Sequence, residues 1–197
     1  MNEEKLRKWY LEELLSVAEI ASKVAVSQHK INYWISKYKI PKRSISEAVY
    51  LKSNPNGDPF CYRRPKKSQD WLLMGLGIGL FWGEGNKRSK STIRLGNTDP
   101  KLIRAFMNFL RNIYNIDKNK IRCGLQVFSD TSPGIAKRYW IKELKIPASQ
   151  FYKVTVTPAR NLGTYRYKSI YGVLTIHFSN TKLKKIIDNL IENFPTI

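Results

Sequence analysis

A glycine-rich apolar stretch at residues 74–85, Met-Gly-Leu-Gly-Ile-Gly-Leu-Phe-Trp-Gly-Glu-Gly, constrains the fold of this chain more than any other segment. Asp70 is a suitable N-cap, so we predict a helix from that residue to about Gly83. In a helix, Gly75, Gly79 and Gly83 recur every four residues on one face, where another backbone can approach closely. Each interior glycine costs about 1 kcal/mol relative to alanine. Three of them indicate that the close contact has a purpose.

The end of this helix carries an acid. Glu84 lies at the C-terminal end, where the helix macrodipole disfavours an anion. A metal ion or a nearby base would have to compensate the carboxylate, so Glu84 is a candidate functional residue. A simple solvated helix end is the alternative. A dinucleotide-binding fold is excluded, because the glycines lack the spacing of that fingerprint and no strand precedes them.

After this helix, segments of helical and strand periodicity alternate along the chain. Their order predicts an α+β domain over residues 70–197, with helices on one face of a largely antiparallel sheet. Strands are predicted at residues 91–95, 121–128, 153–157 and 171–178, and helices at residues 100–114, 133–144 and 183–191.

The first 45 residues have the pattern of a small helical domain. Residues 4–40 read as three short helices, and Pro41 ends the last one. Ser27 can cap that helix, which leaves polar side chains near its N-terminal end, where recognition helices meet base edges. The pattern resembles the helix-turn-helix of site-specific recombinases and transcriptional regulators, with Ala25 at a turn position that glycine often occupies. A purely structural three-helix bundle is the alternative. The candidate DNA contacts are Gln28, His29, Lys30, Asn32 and Arg43.

Residues 46–69 combine turn-forming residues with basic patches and one short helix, around residues 46–51, and we interpret them as a basic linker. The whole chain is basic, with 35 Lys+Arg against 15 Asp+Glu and a formal net charge of +20. A polyanionic partner is therefore expected. Binding to RNA or the ribosome would explain the charge equally well, but no stacking-aromatic RNA motif is present.

The two cysteines, Cys61 and Cys123, and the two histidines are too few for a disulfide scaffold or a tetrahedral zinc site. We therefore expect the reducing cytoplasm as the location of the protein. No targeting or membrane segment is expected either, since the longest apolar run is too short to span a bilayer.

Residues 79–85, Gly-Leu-Phe-Trp-Gly-Glu-Gly, resemble the second half of the LAGLIDADG motif of homing endonucleases. Glu84 occupies the last acidic position, and Trp82 replaces the earlier acid. The similarity extends over residues 70–194. In that family two such helices pack together and bring their carboxylates to a shared divalent-metal site, at the centre of a saddle that spans DNA. With one motif copy, the resemblance implies a homodimer through the face of Gly75, Gly79 and Gly83.

The resemblance also implies a set of site residues. Mg²⁺ would bind at Glu84 and the adjoining Gly85, with Lys153 as the best candidate for a basic activating residue. Strands in the major groove would present the polar face of the sheet to the bases, and loop cations would reach phosphates. Ordinary solvated strands and loops are the alternative. The strand candidates are Arg94, Arg122, Gln126 and Thr155, and the loop candidates are Lys87, Arg88, Arg160, Arg166 and Lys168.

Two functions fit these patterns. The first is a homodimeric, Mg²⁺-dependent endonuclease of the homing type that cleaves double-stranded DNA at specific sites. The second is a non-catalytic transcriptional regulator built on the same domains. The helix-turn-helix favours the regulator. The acid at residue 84 favours the nuclease, because stability gains nothing from it there, and we prefer this function slightly. Neither function needs a small-molecule substrate.

Overall fold

The computed structural model describes residues 1–159 and 169–193, and the chain forms two compact units, Met1–Asp58 and Pro59–Ile197. The first unit is helical. It contains α1 (Glu3–Arg7), which continues as a π-helical segment (Lys8–Glu12), then α2 (Val17–Lys23), α3 (Gln28–Lys37) and α4 (Ile45–Ser53). Its core consists of apolar side chains from the first three helices and from the π-helical segment, together with Ile40: Leu6, Trp9, Tyr10, Ile20, Ala21, Ile31, Ile35 and Ile40.

Serine caps define where α2 and α3 begin. The Ser16 hydroxyl accepts a hydrogen bond from the Glu19 amide (3.1 Å), and the Glu19 carboxylate accepts one from the Ser16 amide (2.7 Å). Hydrogen bonds from the Ser16 side chain and from the Ser16 amide to the carboxylate lower the pKa of the Glu19 carboxyl. The Ser27 hydroxyl accepts from the Lys30 amide (3.3 Å), so the predicted cap of α3 is present.

The turn between α2 and α3 depends on one residue in the left-handed region. Ala25 has φ +51°, a conformation that costs an L-residue about 1–2 kcal/mol. Glycine adopts it freely but loses more entropy on folding. We therefore expect Ala25→Gly to stabilise the first unit by about 0.5–1 kcal/mol, measured by urea denaturation. Ala48→Gly, inside exposed α4, is the control and should destabilise by about 1 kcal/mol. If Ala25→Gly lowers the free energy of unfolding as much as Ala48→Gly does, the proposed backbone strain at residue 25 is contradicted.

The stretch interpreted as a linker is divided between the two units. Its helix, α4, spans Ile45–Ser53 and buries no side chain. In the structure the second unit starts at Pro59, ahead of residue 70. The Cys61 amide donates to the Tyr114 carbonyl (2.8 Å) and the Arg63 amide to the Ile113 carbonyl (2.7 Å), so this part of the chain is bonded to the second unit.

The second unit is an α+β structure, which confirms the predicted class. Two short 3₁₀ turns, at Lys118–Lys120 and Ala148–Gln150, lie between the main elements. Those elements are α5 (Ser68–Glu84), β1 (Thr92–Asn97), α6 (Pro100–Ile113), β2 (Arg122–Phe128), α7 (Pro133–Leu144), β3 (Thr155–Thr157), β4 (Val173–Ser179) and α8 (Thr181–Glu192).

The described strands form one mixed sheet in the order β1-β4-β2-β3. β4 pairs antiparallel with β1 and with β2, but β2 and β3 are parallel. Two of the three described pairings are antiparallel, as the prediction of a largely antiparallel sheet requires, and the pairing of β2 with β3 is the exception. The connection explains the parallel pair. After β2, α7 returns the chain to the end of the sheet at which β2 begins, so β3 runs in the same direction as β2.

One face of the sheet forms the core. Alternate residues of β1, β2 and β4 are buried against helix side chains that include Phe106, Phe109 and Trp140, so the opposite face carries the polar residues. Among the described residues, no helix is both long enough and apolar enough to cross a membrane.

The start of α5 differs from the prediction. The helix begins at Ser68 with Lys67 as N-cap, and Asp70 lies at the third helical position instead of the cap. Its carboxylate accepts hydrogen bonds from the amides of Lys67 (3.1 Å) and Lys66 (3.2 Å), which lower the pKa of the Asp70 carboxyl. Asp70 therefore still stabilises the helix start, from inside the first turn.

A buried ion pair supports the other end of α5. Lys184 of α8 is fully buried, and both carboxylate oxygens of Asp188 bind its ammonium group. The Lys184 Nζ atom also lies 5.4 Å from the ring centroid of Phe81, in the last turns of α5. The cation thus joins α8 to the helix that carries Glu84.

Candidate nucleic-acid interface

Helix α3 presents a polar face to solvent. It buries Ile31 and Ile35, and the predicted contacts Gln28, His29 and Lys30 are exposed, while Asn32 is half-buried. A recognition helix needs such an exposed polar N-terminal half in order to enter a major groove.

The sequence analysis missed the residue at the centre of that face. Tyr33 is 57% exposed and lies one helical turn after His29, on the same side of α3. Ser36 and Lys37 continue this exposed face. The spacing of four residues from His29 was the available signal.

Arg43 is engaged within the first unit. Its guanidinium donates to the carbonyls of Leu14 (2.8 Å) and Leu15, and it lies 4.2 Å from the ring centroid of Tyr10. The Arg43 amide donates to the Tyr10 hydroxyl (3.1 Å). These contacts hold the chain that follows α3 against the first helical segment. Arg43 is therefore a structural residue, and we omit it from the proposed DNA contacts.

In the second unit, the C-terminal end of α5 is attached to the edge of the sheet. The Gly85 amide donates to the Phe81 carbonyl (2.9 Å), and the Asn86 amide donates to the Arg94 carbonyl in β1 (2.9 Å). A Cβ atom on Gly85 would lie 2.4 Å from the Phe81 carbonyl oxygen and from its ring, so only glycine fits. This attachment places the exposed Glu84 at the rim of the polar sheet face.

An open cavity of about 510 Å³ lies on that face, and Glu84 lines it. It brings together predicted site residues from α5 and three strands. Its other lining residues belong to β1, β2 and β4 and to the turn after α5. The predicted residues in the lining are Glu84, Gly85, Arg94, Gln126 and Thr155, and the additional ones are Asn86, Gly96, Gly124, Leu125, Thr175 and His177.

His177 is the second residue that the sequence analysis missed. It lies between Arg94 of β1 and Arg122 of β2 in the strand register, so the three form a row across the sheet. Burial lowers the pKa of the His177 imidazole, and the Arg94 charge lowers it further. The ring is therefore neutral near pH 7, with one donor and one acceptor nitrogen. Alternation within residues 171–178 was the signal, but this strand was treated as mostly apolar.

Glycines make room beside this row. An ideal Cβ on Gly124 would lie 3.1 Å from the His177 Nε2 atom, and one on Gly96 would lie 2.7 Å from the Thr175 hydroxyl oxygen. Larger residues would crowd both polar side chains. The Gln126 side-chain amide donates to the Thr157 hydroxyl (2.9 Å), which orients its carbonyl oxygen.

Other predicted residues lie outside the cavity. The Arg122 guanidinium donates to the carbonyls of Asn119 (2.6 Å) and Ile121 (2.8 Å), so part of its donor capacity is used within the chain. Lys153 is exposed but does not line the cavity, which removes the geometric support for an activating role. Lys87 and Arg88 are exposed loop residues. Arg160, Arg166 and Lys168 lie outside the described residues.

The described lining of the cavity contains a single carboxylate, that of Glu84. Among the described residues, no three His, Cys, Asp or Glu side chains lie close enough together to hold a metal ion. A divalent cation prefers several oxygen ligands. A second carboxylate for a metal site at Glu84 would therefore come from another chain, such as a second copy of Glu84, and a bound phosphate could supply further oxygens.

The predicted glycine face of α5 has no partner within the described chain. A Cβ on Gly75, Gly79 or Gly83 would meet no atom within 4 Å. Large apolar side chains flank the glycines and are exposed, among them Leu72 (74%) and Trp82 (50%). Gly77, on the opposite face, is required within the chain, because its Cβ would lie 2.0 Å from the Phe109 ring. Within the described residues, packing therefore explains the glycine on the buried face of α5 but not the three glycines on its exposed face.

No protein-family model, curated protein or solved structure matches this chain. The likeness to the LAGLIDADG motif therefore rests on residues 79–85 and stays a prediction. The geometry of α3, of the sheet face and of α5 provides the remaining support for a function.

Proposed function

We propose that this protein is a homodimeric DNA-binding protein that cleaves double-stranded DNA as an Mg²⁺-dependent endonuclease of the homing type. The observation that carries the proposal is the cavity at the end of α5, where Glu84 meets the polar residues of the sheet. Glu84, Arg94 and His177 all line this open cavity. A bound duplex could therefore contact the sheet and the carboxylate together.

The polar face of the sheet suits a groove of DNA. Arg94, His177 and Gln126 offer donors and acceptors from three neighbouring strands, and strands can read base edges in the major groove. The net charge of +20 supports contact with phosphates on either side. In the first unit, the exposed face of α3 would provide a second reading surface on the same DNA.

The exposed face of α5 supports the homodimer. Three glycines with no partner within the described chain cost about 1 kcal/mol each, and close approach of a second α5 would explain them. The exposed Leu72, Leu76 and Trp82 side chains would be buried in the same contact. Because the two helices would be related by two-fold symmetry, the dimer would contain two copies of Glu84 near its axis.

Each group has a defined role in this proposal. Two Glu84 carboxylates would hold Mg²⁺, which when bound activates water and stabilises the leaving oxygen. Gly85 would contribute through its backbone, since it has no side chain. His177, Arg94 and Gln126 would hold the duplex so that a phosphodiester lies at the carboxylates.

A non-cleaving transcriptional regulator is the second candidate. The observation that favours it is the single carboxylate of the cavity, in which Asn86 and Thr155 are neutral. The same surfaces would then bind specific DNA without hydrolysing it.

A sequential experiment tests the proposal. Duplexes bound by the full chain are enriched from a random pool, in competition with single-stranded DNA and RNA, and the enriched site is cloned into a supercoiled plasmid. We expect Mg²⁺-dependent cleavage that chelation abolishes. Enrichment without strand breaks in Mg²⁺ or Mn²⁺ would support the regulator. Preference for RNA would contradict both candidates.

A further inference from the structure

A basic groove lies on the helix-covered side of the second unit, on the other side of the sheet from Glu84. The end of α6, the 3₁₀ turn Lys118–Lys120 and the end of α7 enclose it, and its volume is about 800 Å³. It shares no lining residue with the cavity at Glu84. The groove is therefore a separate surface.

Four cations in this groove are not neutralised by the described parts of the chain. The only acid in the described part of the lining, Glu143, already pairs with Arg104 at 2.7 Å. Arg111, Lys118, Lys142 and Lys145 form no ion pair with any described residue. They come from three separate segments of the chain, which the fold brings to one groove.

Helix dipoles account for only part of this charge. Arg111 and Lys142 lie in the last turns of α6 and α7, where each helix end carries about −0.5 elementary charge. Two helix ends offset about one of the four positive charges, so about three remain. The groove floor includes the buried side chains of Ile121, Leu144 and Ile146. A low-dielectric floor strengthens the field that an anion would meet.

We propose that this groove binds the phosphodiester backbone of DNA, as a contact independent of the sheet face. The groove's described lining contains no aromatic side chain on which a base could stack, so its chemistry selects phosphates over bases. Cations from three segments suit a ligand with several successive phosphates. The inference shares with the proposed function only the claim that the protein binds DNA.

The test uses the full chain and a fluorescent duplex of random sequence, with affinity measured by anisotropy over a salt series. The variant replaces Lys118, Lys142 and Lys145 with Gln. Each lost phosphate contact lowers the slope of log affinity against log salt by about 0.9, so we expect the slope to fall by about 2–3. The control replaces Lys66, Lys101 and Lys185 with Gln, which removes the same charge from exposed positions elsewhere in the unit.

A drop in slope for the groove variant, with the control triple close to wild type, supports the inference, provided that circular dichroism shows both folded. Equal slopes for the two triples overturn it. A sheet-face variant, Arg94→Gln with Gln126→Ala, separates this result from the proposed function. If that variant binds and cleaves like wild type while the groove variant loses affinity, the sheet-face proposal fails and the groove proposal stands.

Discussion

Glu84→Gln should greatly slow cleavage of the enriched plasmid site while leaving DNA binding nearly unchanged. The substitution keeps the size and hydrogen-bonding capacity of the side chain but removes its charge, and in a homodimer it removes both carboxylates of the shared site. We expect the cleavage rate to fall by about 10²–10³-fold, the scale of losing a main electrostatic contribution to a transition state. Single-turnover cleavage in Mg²⁺ and anisotropy without metal measure the two effects separately.

The matched control is Glu192→Gln, the same change at the last residue of another helix of the same unit, α8. It removes an equal charge from an exposed residue that does not line the cavity, and it should cleave like wild type. Cleavage at the wild-type rate by Glu84→Gln would contradict the metal-ligand role. Loss of binding as well as cleavage would instead assign Glu84 to the architecture of the DNA-binding surface.

The sequence predicted the elements of this fold well, because most of them have strong periodicity. The helix predicted at residues 100–114 matches α6 almost to its ends. Alternation predicted β2, and a run of mostly apolar residues predicted β4. The parallel pairing of β2 with β3 was not predicted, since strand direction follows from which sheet positions are adjacent in space. Local periodicity contains no such information.

The candidate site was predicted in part, for a similar reason. Glu84 stood out because its charge is unfavourable at a helix end. His177 matters only because the register places it between two arginines, and no local pattern shows that. Arg43 looked like a DNA contact in a basic segment, whereas the fold brings it to the carbonyls of Leu14 and Leu15. The places of His177 and Arg43 therefore depend on contacts between residues distant in sequence, whereas Tyr33 could have been found from its local spacing to His29.

The two faces of α5 should respond in opposite ways to the same small substitution. In Gly77→Ala the new methyl would lie 2.0 Å from the Phe109 ring, inside the packed contact between α5 and α6. We expect a loss of about 3 kcal/mol in the free energy of unfolding, in spite of the better helix propensity of alanine. In Gly79→Ala the methyl meets no atom within 4 Å, so the monomer should gain about 1 kcal/mol.

Gly79→Ala should have the opposite effect on dimerisation from its effect on monomer stability. If two α5 helices approach through their glycines, a methyl at residue 79 keeps them apart, and Gly79→Ala should weaken dimerisation although it stabilises the monomer. Urea denaturation at a concentration below dimerisation isolates the monomer, since the stability of a dimer depends on protein concentration. Sedimentation equilibrium gives the dimer dissociation constant. An unchanged constant for Gly79→Ala would argue against the glycine face as the interface, because only close helix contact makes glycine there an advantage.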